Sequence, residues 1–184
     1  IGLVKGSQKI SFFYKKADKK LIKILRQLNL IYGNNVAEYP ESGIDYLNII
    51  SKKINKFDGS ILLFDYGYTG KKSIDSLQSI SKHKFSDIFK NLGKTDITHL
   101  INYKLFSNIL KKNKLEVNKV VTQGEFLQKL GIIERANILS KKMNFKTKAD
   151  IYYRLKKLLH YKEMGRLFKV LTAQKKGSKF SLGF

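Results

Sequence analysis

Cysteine is absent from the chain, which removes disulfides, thiolate catalysis and cysteine-ligated zinc together and leaves the redox compartment open. Histidine is scarce: only His83, His99 and His160 are present, at separations that match no zinc spacing. No apolar run approaches membrane-spanning length, the longest being stretches such as Ile61 to Phe64, and the first residues lack a cationic region leading into an apolar core. A protein soluble in water, with no transmembrane segment, is expected. A Gly-x-Ser-x-Gly elbow, a phosphate-binding glycine-lysine loop and a glycine-rich dinucleotide turn are missing too. Nothing before Ser60 offers the tight turn that a nucleotide or methyl donor needs near a first strand. Ile1 stands where translation places Met, which points to a lost upstream stretch or an unusual start codon.

What is present is 184 residues, 42% hydrophobic and 28% charged, enough for one domain or part of one with a real core. The net charge is +23. A nucleic-acid or anionic-membrane partner is one reading of it. Of the 37 basic residues, however, only Arg26, Arg135, Arg154 and Arg166 are arginine, the side chain whose fixed fork suits base and phosphate recognition. Solvated background charge is therefore the favoured reading.

Along the chain, Ile1–Val4 and Ile10–Phe13 flank a Gly6-Ser7-Gln8 turn, predicting a hairpin. Leu21, Ile22, Leu25 and Leu28 predict a helix within Asp18–Leu30, which Gly33-Asn34-Asn35 breaks. Pro40 suits the first turn of a second helix with an Ile44, Leu47, Ile50 or Ser51, and Ile54 stripe, ending at Asp58-Gly59. Ser60–Phe64 reads as a buried strand of the parallel-sheet kind, because the run has no alternation. Thr69–Leu100 is a turn-rich excursion with a strand near Ser76–Ile80. Asn102 caps a helix with Leu105, Phe106, Ile109 and Leu110 inward, stopped at Lys112-Asn113, and Leu115–Val121 is the next strand. Thr122 and Glu125 have capping-box spacing, a further helix starts near Ile133, and Thr147 with Asp150 likewise begins another, Asp being weaker than Glu in this role. Gly124 and Gly131 read as helix entry or ending residues. Leu167–Leu171 forms the last buried strand, and strands alternating with helices give an α/β class.

Asp65 is the leading polar candidate, because ligands gather beyond the carboxyl ends of strands in open α/β sheets. It either accepts hydrogen bonds from a substrate amine, guanidinium or water, or caps the following turn. Gly67 permits a close or unusual backbone path. Tyr66 and Tyr68 offer ring faces and hydroxyls to a cationic substrate, or simply pack. His99 lies in Thr95-Asp96-Ile97-Thr98-His99, where Asp96 or a threonine orients the imidazole or the letters describe a local turn.

Several phrases then converge. Leu62-Leu63-Phe64-Asp65-Tyr66-Gly67-Tyr68, Asp96-Ile97-Thr98, Val121-Thr122-Gln123-Gly124-Glu125-Phe126-Leu127, Leu130-Gly131-Ile132 and Met164-Gly165-Arg166-Leu167-Phe168-Lys169-Val170-Leu171 resemble, in order and spacing, the MidA-like family of S-adenosylmethionine-dependent methyltransferases. Ser76-Leu77-Gln78 and His83-Lys84-Phe85 add to the resemblance, which runs from about Pro40 to Ala173 and thins over the first 35 residues. It implies a partial class I methyltransferase (Rossmann-like) fold: the later strands and helices, without the early glycine-rich turn that holds S-adenosylmethionine. It also implies a catalytic role for Asp65 and substrate contacts by Tyr66, Tyr68, His83, Asp96 and His99. The family often has His one place after the position of His99, where Leu100 stands here. A displacement of one residue abolishes a geometric role for that imidazole.

The resemblance further implies arginine methylation of a protein substrate, as in mitochondrial relatives tied to respiratory complex I and its assembly, and a mitochondrial-matrix location, or a cytoplasmic one for a bacterial source. The expected division is residues 1–35 as amino-terminal hairpin and helix, 36–174 as the later methyltransferase-like part and 175–184 as a basic tail. The chain alone is expected to bind no donor and to be inactive. The partner is then a protein substrate or the missing amino-terminal half; a non-enzymatic, partner-binding remnant and a nucleic-acid binder are the alternatives.

Overall fold

A computed structural model describes residues 2–3, 10–31, 36–70, 74–82, 84–178 and 182–184. The expected turns at Gly6-Ser7-Gln8 and Gly33-Asn34-Asn35, and His83, lie outside them. In chain order the elements are β1 (Gly2–Leu3), β2 (Ile10–Ser11), α1 (Lys19–Gln27), α2 (Glu41–Phe57), β3 (Ser60–Tyr68), β4 (Gln78–Ser81), β5 (Lys84–Ser86), β6 (Asp96–Thr98), β7 (Ile101–Asn102), α3 (Tyr103–Lys112), β8 (Glu116–Val117), β9 (Val121–Thr122), α4 (Gln123–Lys129), α5 (Ile132–Ser140), α6 (Phe145–Leu159), α7 (Met164–Leu167) and β10 (Phe168–Gln174). The class is mixed α/β.

Two compact units result. Ile1–Tyr39 and Lys72–Leu100 form one, Pro40–Lys71 and Ile101–Phe184 the other. The turn-rich excursion thus belongs with the amino-terminal segment. In this first unit β1 and β2 pair antiparallel, as the hairpin reading expects. Asp18 caps α1 by accepting from the Leu21 N–H at 2.7 Å. β4 is the middle strand of an antiparallel sheet ordered β5-β4-β6. Ser76 N–H and its hydroxyl both donate to the Glu38 carboxylate, while the Leu100 N–H donates to Ser76 Oγ at 2.8 Å. Three chain segments are tied at that point.

In the second unit the sheet runs β7-β3-β10-β8, with β9 also on β10. Among the described residues its only parallel pair is β3 with β7; β10 is antiparallel to β3, β8 and β9. This corrects the parallel-sheet reading of Ser60–Phe64. The strand continues to Tyr68, and its burial alternates, with Leu62 50% and Phe64 40% exposed. An all-apolar run does not by itself require cover on both faces.

The expected Leu115–Val121 strand is two short ones, broken at residues 118–120, where the Asn118 N–H bonds Thr172 O. β10 begins at Phe168, because Leu167 still closes the short helix α7. Pro40 precedes α2 as its cap residue rather than sitting in the first turn. α6 starts earlier than Thr147: the Asn144 side chain accepts from the Thr147 N–H at 2.9 Å, and Asp150 instead pairs with Arg154 one turn on. The capping box forms as spaced, with Thr122 Oγ accepting from Glu125 N–H and Glu125 Oε2 from Thr122 N–H. Asn102 caps α3 through Leu105 N–H at 3.0 Å. Asn113 does more than stop α3: its side chain donates to Asn48 Oδ1 and its carbonyl accepts from Asn55, fastening α3 to α2. Val121, Phe126 and Val170 make a core cluster, with Leu127 and Phe184 packed against it.

Candidate functional site

The candidate residues divide between the two units. Asp65, Tyr66 and Tyr68 belong to the second; Asp96 and His99 belong to the first.

Asp65 lies inside β3, not beyond its end, so its neighbours are set by strand geometry. Its register partner on β10 is Lys169, whose partner on the other side is Thr122. Directly opposed residues share a face, which makes Asp65, Lys169 and Thr122 a polar row across three strands. The Lys169 ammonium turns away to the carbonyls of Arg166 and Leu167. Burial, then the nearby Arg166, holds its pKa below the ordinary lysine range. Asp65 Oδ1 accepts from the Tyr66 N–H at 2.8 Å, and its Oδ2 has no hydrogen bond among the described residues. The strand continues past Asp65, so the half-buried carboxylate caps no turn: one oxygen holds the amide of the next strand residue, and the other has no hydrogen bond among the described residues.

Alternation along a strand sends successive side chains to opposite faces. Tyr66 and Tyr68 accordingly sit on the face opposite Asp65, and the ring of Tyr66 meets Phe168 edge-on at 5.6 Å. The structure does not gather the two tyrosines around this carboxylate. The hydroxyl of Tyr68 is buried without a partner among the described residues.

Tyr103, which sequence reasoning passed over as one tyrosine among ten, is the most constrained residue here. It is fully buried, and its hydroxyl accepts from the Asp65 N–H at 2.8 Å while facing the carbonyls of Lys169 at 3.0 Å and Asp65 at 3.1 Å. The phenol thus stands as a relay between β3 and β10 at the level of Asp65. Burial pushes its pKa from 10.0 up to about 12; the Asp65 N–H pulls the other way, and the Asp65 charge adds to the rise. The sequence signal was present: the residue follows the Asn102 cap, on the helix face that must meet the sheet. Gly67 serves the same contact, since a Cβ there would stand 2.3 Å from Ile101 O and 2.8 Å from the Tyr103 ring.

In the first unit Asp96 is exposed on β6, paired with Ile80. His99 is exposed too, with Nδ1 3.3 Å from the carbonyl of its neighbour Leu100. No hydrogen bond joins Asp96 to His99 among the described residues. Among them also, no three His, Cys, Asp or Glu side chains converge as a metal site, and no helix is long and apolar enough to cross a membrane.

A donor cradle needs a glycine whose missing Cβ leaves room for ligand. At Gly67, Gly124, Gly165 and Gly183 that room is filled by Ile101 and Tyr103, by Leu159 and Gly165, by Leu159 and His160, and by Phe126 respectively. Gly131, at φ 77°, opens α5. These four glycines serve the chain's own packing, whereas an added Cβ at Gly59, Gly70, Gly93 or Gly177 would meet nothing within 4 Å.

Residues 3–121 match the model of a family described as "Putative S-adenosyl-L-methionine-dependent methyltransferase". The chain is similar to the mitochondrial protein arginine methyltransferase NDUFAF7 of Xenopus tropicalis, 27% identical over 67% of this chain and 28% of that one. It is similar also to the homologue in Caenorhabditis elegans, 34% identical over 52% of this chain and 22% of that one. A crystal structure from Burkholderia thailandensis bound to S-adenosyl-homocysteine shares the fold at TM-score 0.71 and 17% identity, covering 92% of this chain and 44% of that one. A second, native structure from that organism also gives 0.71, at 18% identity, covering 94% and 47%. The chain thus spans less than half of these solved relatives and under a third of the curated ones.

Proposed function

The chain belongs to this family of S-adenosyl-L-methionine-dependent methyltransferases, and from that premise we propose that it supplies the acceptor-side part of a protein arginine methyltransferase while the donor is held by polypeptide outside these residues. The observation that carries the proposal is the family match joined to a set of close-packed glycines already filled by the chain's own atoms. The arginine acceptor rests on what the curated relatives are named. When bound, the donor supplies the methyl group; what this chain contributes is positioning.

Asp65 is the residue assigned to the acceptor. Its open Oδ2 offers a charge-assisted bond to a guanidinium, and its fixed Oδ1 keeps the carboxylate from rotating. Tyr66 and Tyr68, on the opposite face, shape the strand rather than confine that guanidinium. The working division is 1–35, 36–174 and 175–184, with the middle segment carrying the acceptor side. The location is the mitochondrial matrix for a eukaryotic source and the cytoplasm for a bacterial one.

The test is methyl transfer to an arginine-containing protein by the chain together with the donor-binding part of a relative. Asp65→Asn keeps the Tyr66 contact but removes the charge. It is expected to lower turnover by about ten- to a hundredfold, the range of one charge-assisted hydrogen bond. Unchanged turnover and acceptor affinity remove Asp65 from this role.

A further inference from the structure

The segment from Phe12 to Leu28 sorts its side chains by kind. An aromatic run, Phe12-Phe13-Tyr14, leads through Lys15 and Lys16 into α1. With 3.6 residues to a helical turn, Leu21, Ile22, Ile24, Leu25 and Leu28 fall on one side of that helix, and Lys19, Lys20, Lys23 and Arg26 on the other. The apolar set is half-buried and the basic set exposed, so the cationic side is turned to solvent. Six cations meet one carboxylate in this stretch. That carboxylate is Asp18, and its Oδ1 is engaged at 2.7 Å by the Leu21 N–H at the helix start. Lys19, Lys23 and Arg26 follow one another at intervals of about a turn and border an open hollow of about 490 Å³, together with Ile22 and Gln27. Ahead of the helix, Phe12 is held by Phe89, whose ring it meets edge-on at 4.8 Å, whereas Phe13 is 64% and Tyr14 98% exposed. Adjacent free aromatics joined to a cationic helix face make a surface that meets charge and hydrocarbon together.

We propose that this segment is a docking surface for an anionic lipid bilayer, with lipid phosphates in the hollow between Lys19, Lys23 and Arg26 and with Phe13 and Tyr14 entering the interface. Charge complementarity selects the partner: the six cations attract an anionic leaflet wherever its surface potential reaches. The rings then supply what a soluble anion cannot use, and a tyrosine suits the headgroup level, where its ring is covered and its hydroxyl stays wet. Single-stranded nucleic acid fits these letters less well. It needs rings spaced along a groove so that successive bases stack, and here the two free rings adjoin at one end of a helix. One arginine among the six cations also leaves base recognition short of its fork. A second copy is opposed by like charge. α1 has 9 residues, too few to span a bilayer, so it lies along the surface.

Flotation of the whole chain with phosphatidylcholine vesicles, with and without phosphatidylserine, tests this. Affinity should be at least about tenfold higher when phosphatidylserine is present, and should fall as salt rises. Lys19→Gln, Lys23→Gln and Arg26→Gln together should weaken binding about a hundredfold, the effect of three charges at an anionic surface. Lys141→Gln, Lys142→Gln and Lys146→Gln remove the same charge from exposed places in the second unit. That triple variant should change binding by less than about threefold, because charge away from the contact is screened. Phe13→Ala with Tyr14→Ala should weaken vesicle binding about tenfold while circular dichroism stays unchanged. Equal losses in the two triple variants mark net charge alone and overturn the proposal. So does an absence of vesicle binding, or vesicle binding indifferent to the two rings. Release from the vesicles by glycerophosphate at matched salt marks a soluble phosphate ligand and overturns it as well. Poly(U) RNA that binds more tightly than the vesicles, and loses its affinity in the Lys19, Lys23 and Arg26 variant, replaces the bilayer with nucleic acid.

Discussion

Tyr103→Phe removes a single oxygen, yet it leaves the Asp65 N–H and the Lys169 carbonyl without their relay in a buried place. The expected loss is about 1–3 kcal/mol of unfolding free energy, measured by urea denaturation. The pH dependence follows from the raised phenol. Folding favours the neutral form, so its contribution is whole below the unfolded value of 10.0 and is lost as pH rises toward about 12. Lysines titrate in the same range, so the test is the difference between wild type and Tyr103→Phe. That gap should narrow from pH 10 to pH 12, and a constant gap rejects the assignment. At the same scale the sequence showed Asp65 but not its surroundings. Reading residues 65–68 as a turn put the carboxylate and both tyrosines in one place, whereas a strand splits them by face. The register that sets Lys169 beside Asp65 is a long-range fact, with over a hundred residues between them, and no local pattern encodes it.

Helix ends were the most legible elements, because a cap is a contact over three residues. Asn102 and the Thr122/Glu125 box do what their spacing announces. Thr122→Ala should cost about 1 kcal/mol of stability. The two bonds from Thr122 hold the Glu125 carboxyl below its usual value of 4.5. Its contribution is therefore present above 4.5 and fades as pH falls through the lowered folded value. Glu125→Gln should accordingly flatten the acid limb of a stability–pH curve, and an identical limb in both proteins contradicts the box. Gly165 shows what spacing cannot reveal. It reads as one letter of a family phrase, but a Cβ there would stand 2.1 Å from Leu159 O. Gly165→Ala should destabilise by about 3 kcal/mol through overpacking where α6 meets α7, as thermal or urea unfolding would report. Strand ends were misread for the same underlying reason: where β3 stops depends on β7 and β10, not on residues 60–64.

For the molecule as a whole, family membership was readable from short phrases, while the two-unit division was not. The pairing of 72–100 with the first 39 residues is a contact between distant segments. The charge of +23 supports a separate expectation. If it is solvated background, duplex nucleic acid should bind weakly at physiological salt; tight binding that falls steeply with a several-fold rise in salt would instead mark counterion release and a functional basic surface. The central proposal is that Gly67, Gly124, Gly165 and Gly183 serve the chain's own packing and that the donor is held by polypeptide outside these residues. Calorimetric titration of the purified 184-residue chain with S-adenosylmethionine, alongside a full-length family member as control, addresses it directly. No saturable heat is expected from the chain while the control binds; one-to-one binding in the micromolar range, lost when the chain is unfolded, would contradict it.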